Sequence, residues 1–109
     1  MYTMDRRLQL QNLLKQVKGP EPEDELPVYF QPKENVTMEY PCIVYQRDSA
    51  DTLFAGNNPY RFTQRYQVTY IDLKPNSGVV EKLAGLPMCT YSRFFVADGL
   101  NHDVFTIFF

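Results

Sequence analysis

The sequence predicts an α+β fold: an antiparallel sheet of about four or five strands, with an N-terminal helix and a second short helix packed on one face. Two segments carry apolar residues at helical spacing, and a third alternates between aromatic and polar residues with period two. A strong turn signal joins two β-rich runs near the C-terminus. With 109 residues, the chain is expected to form one domain that covers residues 1–109.

Composition narrows the class of protein. Hydrophobic residues make up 44% and charged residues 22%, which is ordinary globular usage and argues against global disorder. The net charge of −2 argues against a general electrostatic grip on nucleic acid, which needs a basic surface. The apolar runs are too short for a transmembrane helix, and the N-terminus lacks the apolar region of a secretory signal. Two cysteines are too few for a disulfide scaffold and are expected to be reduced and buried.

The first helix is predicted over about residues 4–18. Thr3 is a plausible N-cap, Gly19 a plausible C′ residue, and Pro20 prevents continuation. One apolar stripe runs along the segment, formed by Met4, Leu8, Leu10, Leu13, Leu14 and Val17.

A proline-rich segment separates this helix from the sheet. Its acidic run "EPEDE", Glu21 to Glu25, is interpreted as a solvated loop, with an acidic docking site as the alternative. Val28–Phe30 is predicted to be a short extended piece, and residues 41–47, "PCIVYQR", a central strand.

The longest alternation lies in "NPYRFTQRYQVTYIDLKP", residues 58–75. A strand from Tyr60 to Asp72 would be roughly 43 Å long at about 3.3 Å per residue, whereas a compact chain of this size has a diameter of roughly 34 Å. The preceding "DSADTLFAGNN" is either a loose loop or half of an extended hairpin arm. In the second case, Leu53–Ala55 pairs with the start of the long strand, and the excess length protrudes from the body.

In the long strand, one set of alternate residues is largely aromatic and is predicted to face the core. The other set includes Arg61 and Arg65 and is predicted to face solvent. A nucleic-acid surface that interleaves arginines with stacking aromatics is disfavoured for this reason. Arg47 and Arg93 are the other arginines that could line such a sheet face.

The C-terminal part predicts a short helix and a hairpin. Asn76 or Ser77 can cap the helix, and Val79, Val80 and Leu83 form its apolar stripe. Two β-rich runs then flank Asp98-Gly99, a strong hairpin signal.

Residues with catalytic potential are few. A Cys-His nucleophile pair would require Cys89 to meet His102 across the last hairpin. A zinc site would require Cys42, Cys89 and a carboxylate to converge. The chain has no glycine-rich phosphate loop, GxSxG, HExxH or CxxC motif. We therefore predict no enzyme activity and no catalytic, metal-binding or cofactor-binding residues.

Several stretches in order, above all "YPCIVY", "YQVTYIDLKPNS" and "DGLNHDVFTIFF", resemble small tail-completion or minor capsid proteins of long-tailed phages and prophages of Gram-positive bacteria. Such proteins are similar to tail terminators. The resemblance implies an α+β subunit in a ring, usually of six, that caps the tail tube. It implies contact with the major tail protein and the head connector or adaptor, with DNA only as passing genome and no membrane. It also implies assembly in the host bacterial cytoplasm and a final place in the virion.

Residues of the predicted arm and its base are the candidates for subunit contacts in such a ring, namely Arg47, Asp51, Leu53, Phe54, Asn57, Asn58, Arg61 and Arg65. Two other functions stay open at this point. One is a head-closure or adaptor protein of the head-tail connector, and the other is a small host-acting or regulatory binding protein.

Overall fold

A computed structural model of the chain describes residues 5–17, 25–55, 58–75 and 77–109. Two helices and five strands occur in the order α1 (Asp5–Lys15), β1 (Val28–Phe30), β2 (Cys42–Ala55), β3 (Asn58–Asp72), α2 (Gly78–Ala84), β4 (Cys89–Ala97) and β5 (Leu100–Phe108). The strands form one sheet in the order β1-β2-β3-β5-β4. The predicted α+β class, with two helices and five strands, is confirmed.

The sheet is mixed, so the prediction of a purely antiparallel sheet is wrong. β1 pairs in parallel with β2, with Val28 opposite Ile43, while the other three strand pairs are antiparallel. The physical reason lies in the connection, because residues 31–41 form a crossover that returns the chain before β2 begins. A crossover of this length lets two consecutive strands run in the same direction, which a tight hairpin does not.

The core lies between the helices and one face of the sheet. Tyr45 pairs with Val68, and Val68 pairs with Phe105, so these three side chains share that face. All three are buried together with side chains of both helices, and the cluster comprises Leu10, Leu14, Val17, Leu26, Ile43, Tyr45, Tyr66, Val68, Tyr70, Val79, Leu83, Phe105 and Ile107. Both helices therefore pack on one face, as predicted.

The helix ends follow local capping chemistry. α2 begins after Ser77, whose side chain accepts a hydrogen bond from the backbone N–H of Val79, so Ser77 is the N-cap. Among the described residues α1 covers Asp5–Lys15, and it ends three residues before residue 18, to which the sequence predicted helix. The expected caps Thr3, Gly19 and Asn76 lie outside the described residues.

The last hairpin has the predicted turn. Asp98 and Gly99 have φ values of 53° and 74°, and Ala97 pairs with Leu100 on either side of them. Two consecutive positive φ values are typical of a type I′ turn, whose twist matches that of the strands it joins.

Within the described part of the chain, no helix is long and apolar enough to cross a membrane.

Candidate interaction surfaces

The β2–β3 hairpin extends beyond the rest of the sheet. β5 pairs with β3 only from Arg65 to Asp72, and β1 pairs with β2 only from Ile43 to Tyr45. Beyond these limits, residues 49–55 and 58–64 have no strand partner outside this hairpin, as far as the structure describes them, and their pairing runs from Ser49 opposite Arg65 out to Ala55 opposite Asn58. These two segments are called the arm. Of the two alternatives for this segment, a loose loop or a hairpin arm, the hairpin arm is confirmed, because Leu53–Ala55 pairs with the start of the long strand.

The arm explains how one strand can be longer than the diameter of a compact domain of this size. The molecule extends 50 × 30 × 24 Å, and its Cα radius of gyration is 15.1 Å. A compact chain of this length would have a radius of gyration of about 13 Å. The excess follows from a hairpin whose tip pairs with no other strand among the described residues.

A β-bulge marks the base of the arm. The register shifts between Arg47, which is opposite Tyr66, and Ser49, which is opposite Arg65, so Asp48 is the extra residue. Its Oδ2 accepts a hydrogen bond from Nε of Arg65 at 3.0 Å. The backbone N–H of Arg47 donates to the side chain of Gln31 in the crossover. These contacts fix the base of the arm to the body.

The predicted contact residues divide between the base and the arm. Arg47 and Arg65 lie at the base, and Arg65 also pairs with Phe108 at the end of β5. Five others lie along the arm strands, where Leu53 is opposite Arg61, and they are Asp51, Leu53, Phe54, Asn58 and Arg61. Asn57 lies outside the described residues.

A second surface, which the sequence did not predict as a contact site, is the free edge of the sheet at β4. In the described chain this strand pairs only with β5, and four of its large side chains are exposed: Tyr91 (44%), Phe94 (48%), Phe95 (39%) and Val96 (58%). The run "RFFVA" carries adjacent aromatics, and adjacent strand residues point to opposite faces. This lack of alternation is the signal in the sequence for a contact surface on this strand, but only the strand order shows that β4 lies at an edge.

Part of the β4 surface is an aromatic stack. The ring of Phe95 stacks on His102 of β5 with centroids 4.5 Å apart and an interplanar angle of 14°. The guanidinium of Arg93 lies 5.7 Å from the centroid of the Phe95 ring. A cation at this distance from an aromatic face is attracted to it. His102 therefore has a packing role here.

The two groups of the hypothetical Cys-His nucleophile pair lie apart. Cys89 is opposite Ile107 on β5, whereas His102 is five residues away on the same strand, or about 17 Å. An odd separation also places them on opposite faces of the sheet. Burial raises the pKa of the Cys89 thiol to about 11 and that of Cys42 to about 12. Both thiols are thus held in the protonated, less nucleophilic form.

The turn between β3 and α2 contains a buried polar network. The hydroxyl of Tyr70 donates to Oδ2 of Asp72 at 2.6 Å and lies 3.3 Å from Oγ of Ser77. The other carboxylate oxygen of Asp72 accepts from the backbone N–H of Lys74. Burial, and next the hydrogen bond to Asp72, raise the pKa of Tyr70 above its usual range. The network joins the strand, the turn and the helix cap.

Beside this network lies a cleft of about 530 Å³, and its lining residues are Pro75, Ser77, Gly78, Val80, Glu81 and Asp103. Asp103 is buried at the wall, and its Oδ1 accepts a hydrogen bond from the hydroxyl of Tyr91 at 2.9 Å. The described residues contain no group of three or more histidine, cysteine or acidic side chains placed to hold a metal ion.

Comparisons with protein-family models, with curated proteins and with solved structures found no match for this chain.

Proposed function

We propose that this protein is a structural subunit of a phage neck, a tail terminator or tail-completion protein. In this role it forms a ring that caps the tail tube and joins it to the head connector. The observation that carries the proposal is the arm, a hairpin that continues β2 and β3 beyond the body of the sheet. The sequence resemblance to tail-completion proteins supports the same role.

A ring of identical subunits needs a heterologous interface, in which one patch contacts a different patch on the next copy. The arm is suited to be one of these patches because it extends away from the core. A two-stranded hairpin is only marginally stable in water on its own. Contact with a neighbouring subunit would supply a strand partner to the arm, whose two strands pair only within the hairpin among the described residues.

The proposed role needs no catalytic activity. The protein acts by assembly, as a homo-oligomer, with the major tail protein below it and the head connector or adaptor above. Genomic DNA passes through the ring without being held, which fits a net charge of −2. The protein takes no cofactor, it is assembled in the host bacterial cytoplasm, and its place is the virion.

Removing the gene from the genome that carries it tests the proposal. Electron microscopy of the resulting particles is expected to show tails longer than normal, because tube polymerisation is no longer stopped. A plasmid copy should restore the normal length. Capsids that leak DNA and carry no tails would place the protein in the head-closure layer instead. Particles of normal form, or a genome without neighbouring tail genes, would contradict a role in the phage neck.

A further inference from the structure

The free edge of β4 and the outer edge of the β2 arm strand both lack a strand partner among the described residues. We infer that β4 of one subunit pairs with the outer edge of the β2 arm strand, residues 49–55, of a second copy. The inference rests on the proposed ring and specifies its interface. The two sheets then become continuous across the subunit boundary, joined by backbone hydrogen bonds.

β4 has the properties of a strand that needs a partner. It is nine residues long, and its burial pattern is exposed from Thr90 to Val96. An exposed, long and apolar edge strand invites pairing with another chain unless something covers it. Soluble proteins commonly place charges or prolines on such an edge. In β4 the charged residue is Arg93, and the strand contains no proline.

Arg93 argues against pairing of β4 with itself. It is the central residue of Cys89–Ala97, so an antiparallel pair of two β4 strands about their middle would place two Arg93 side chains opposite each other. Like charges directly opposite one another destabilise a strand pair. The partner of β4 is therefore expected to be a different strand, preferably one with a carboxylate.

The β2 strand of the arm meets this requirement. Residues 49–55, "SADTLFA", contain one acidic residue, Asp51, and no basic one. Their outer edge lies beyond Tyr45, where pairing with β1 stops. Seven residues match most of the nine in β4, and an opposite-charge pair of Asp51 with Arg93 would favour this register.

The other strand edges fit less well. The β3 strand of the arm carries Arg61, which would meet Arg93 with the same charge. Part of its outer edge is already used, because the backbone N–H of Phe109 donates to the carbonyl of Gln64 at 3.1 Å. β1 has only three residues. Pairing of β4 with the β2 arm strand is head-to-tail, so repetition of the contact generates a ring if the rotation closes.

Single-cysteine variants linked by a short bismaleimide test the pairing. Asp51→Cys and Arg93→Cys are made separately in a Cys89→Ala background, leaving Cys42 buried. Each is incubated alone and then the two are mixed, over a concentration series up to the solubility limit. We expect a covalent dimer in the mixture and little in either protein alone. Leu73→Cys, at an exposed position (67%) just past the end of β3 that lies opposite the arm, replaces Arg93→Cys in the control mixture.

Two results would overturn the inference. Efficient linking with itself of Ser92→Cys, an exposed position whose replacement keeps the Arg93 charge, would show β4–β4 pairing. Linking in the mixture no better than in the Leu73→Cys control would show that the two edges do not meet. A charge exchange gives a second measurement. Arg93→Glu should reduce oligomers in sedimentation velocity, and adding Asp51→Arg should restore them.

Linked dimers from a protein whose loss leaves tail length unchanged would reject the phage function alone. Over-long tails without the link would reject this interface alone.

Discussion

Asp48 and Arg65 form an ion pair at the point where the arm leaves the sheet. Nε of Arg65 lies 3.0 Å from Oδ2 of Asp48, and Asp48 is the extra residue of the β2 bulge. On the neighbouring strand β5, Arg65 pairs with Phe108, close to the end of that strand. Bulges bend and twist the strand that carries them. The bulge and its ion pair therefore set the direction in which the arm extends.

Replacing Asp48 with Asn should cost little stability. The side chains of the pair are 39% and 35% exposed, so solvent screens their attraction, and such pairs contribute less than about 1 kcal/mol. Urea unfolding of Asp48→Asn, Arg65→Gln and the double variant, at low and at high salt, measures the coupling energy. A loss above about 2 kcal/mol for Asp48→Asn would show that the pair stabilises the body as well as the arm.

Removing the arm should leave a folded subunit that does not assemble. Because Ala50 is opposite Gln64, residues 51–63 can be replaced by Asn-Gly, which closes a two-residue hairpin between paired positions. The buried cluster around Val68 and Phe105 lies outside the deleted segment. We expect the circular dichroism and the thermal transition of a folded protein, with loss of oligomers in sedimentation velocity.

The control for this truncation exchanges sequence while keeping length. Residues 51–63 are replaced by a strand–turn–strand segment of the same size with threonine and lysine on both faces. Loss of assembly in this variant as well would show that the side chains of the arm matter in addition to its reach. An unfolded truncation variant would contradict the separation of arm and body, because the segment would then contribute to the core.

The sequence predicted the elements better than their arrangement. Period-two alternation predicted that Tyr66, Val68 and Tyr70 face the core, and all three are buried. The prediction is correct here because one face of that strand is buried over its second half. The parallel placement of β1 was missed, since three residues carry too little pattern to show direction. The β4 edge was also missed, because being at an edge depends on strand order, which local pattern does not contain.

Removing the hydroxyl of Tyr70 should destabilise the fold by roughly 1.5–3 kcal/mol, the cost of taking a hydrogen bond from a buried charged group. Tyr70→Phe keeps the ring in the core but leaves Oδ2 of the buried Asp72 without this donor. Ser77→Ala should cost less, about 1 kcal/mol, as the loss of an N-cap. Urea unfolding gives both values. Equal, small losses would indicate that water replaces the Tyr70 hydroxyl.

Alkaline pH should destabilise the protein through its thiols. The pKa of Cys42 is raised from 9.0 to about 12 and that of Cys89 to about 11, both by burial. As pH rises past about 9, the unfolded chain loses these protons first, so the free energy of unfolding falls until the folded pKa values are passed. Tyr70 acts in the same direction.

Urea unfolding at about pH 7 and about pH 10 measures this loss, and the same comparison for Cys42→Ala should show a smaller one. The comparison is made within each variant, so the packing cost of the substitution cancels. An identical pH dependence for the variant and the parent would contradict a protonated, buried Cys42.

Gly99 should be more sensitive to substitution than Gly78, although neither has a neighbouring atom within 4 Å of an added Cβ. Gly99 has φ of +74° in the β4–β5 turn, a conformation that costs an L-residue about 1 kcal/mol. Gly78 is the first residue of α2, where alanine restricts the unfolded chain and should be neutral or stabilising by up to about 1 kcal/mol. Thermal unfolding of Gly99→Ala and Gly78→Ala compares them directly. A neutral Gly99→Ala would show that the turn has relaxed to a form with negative φ.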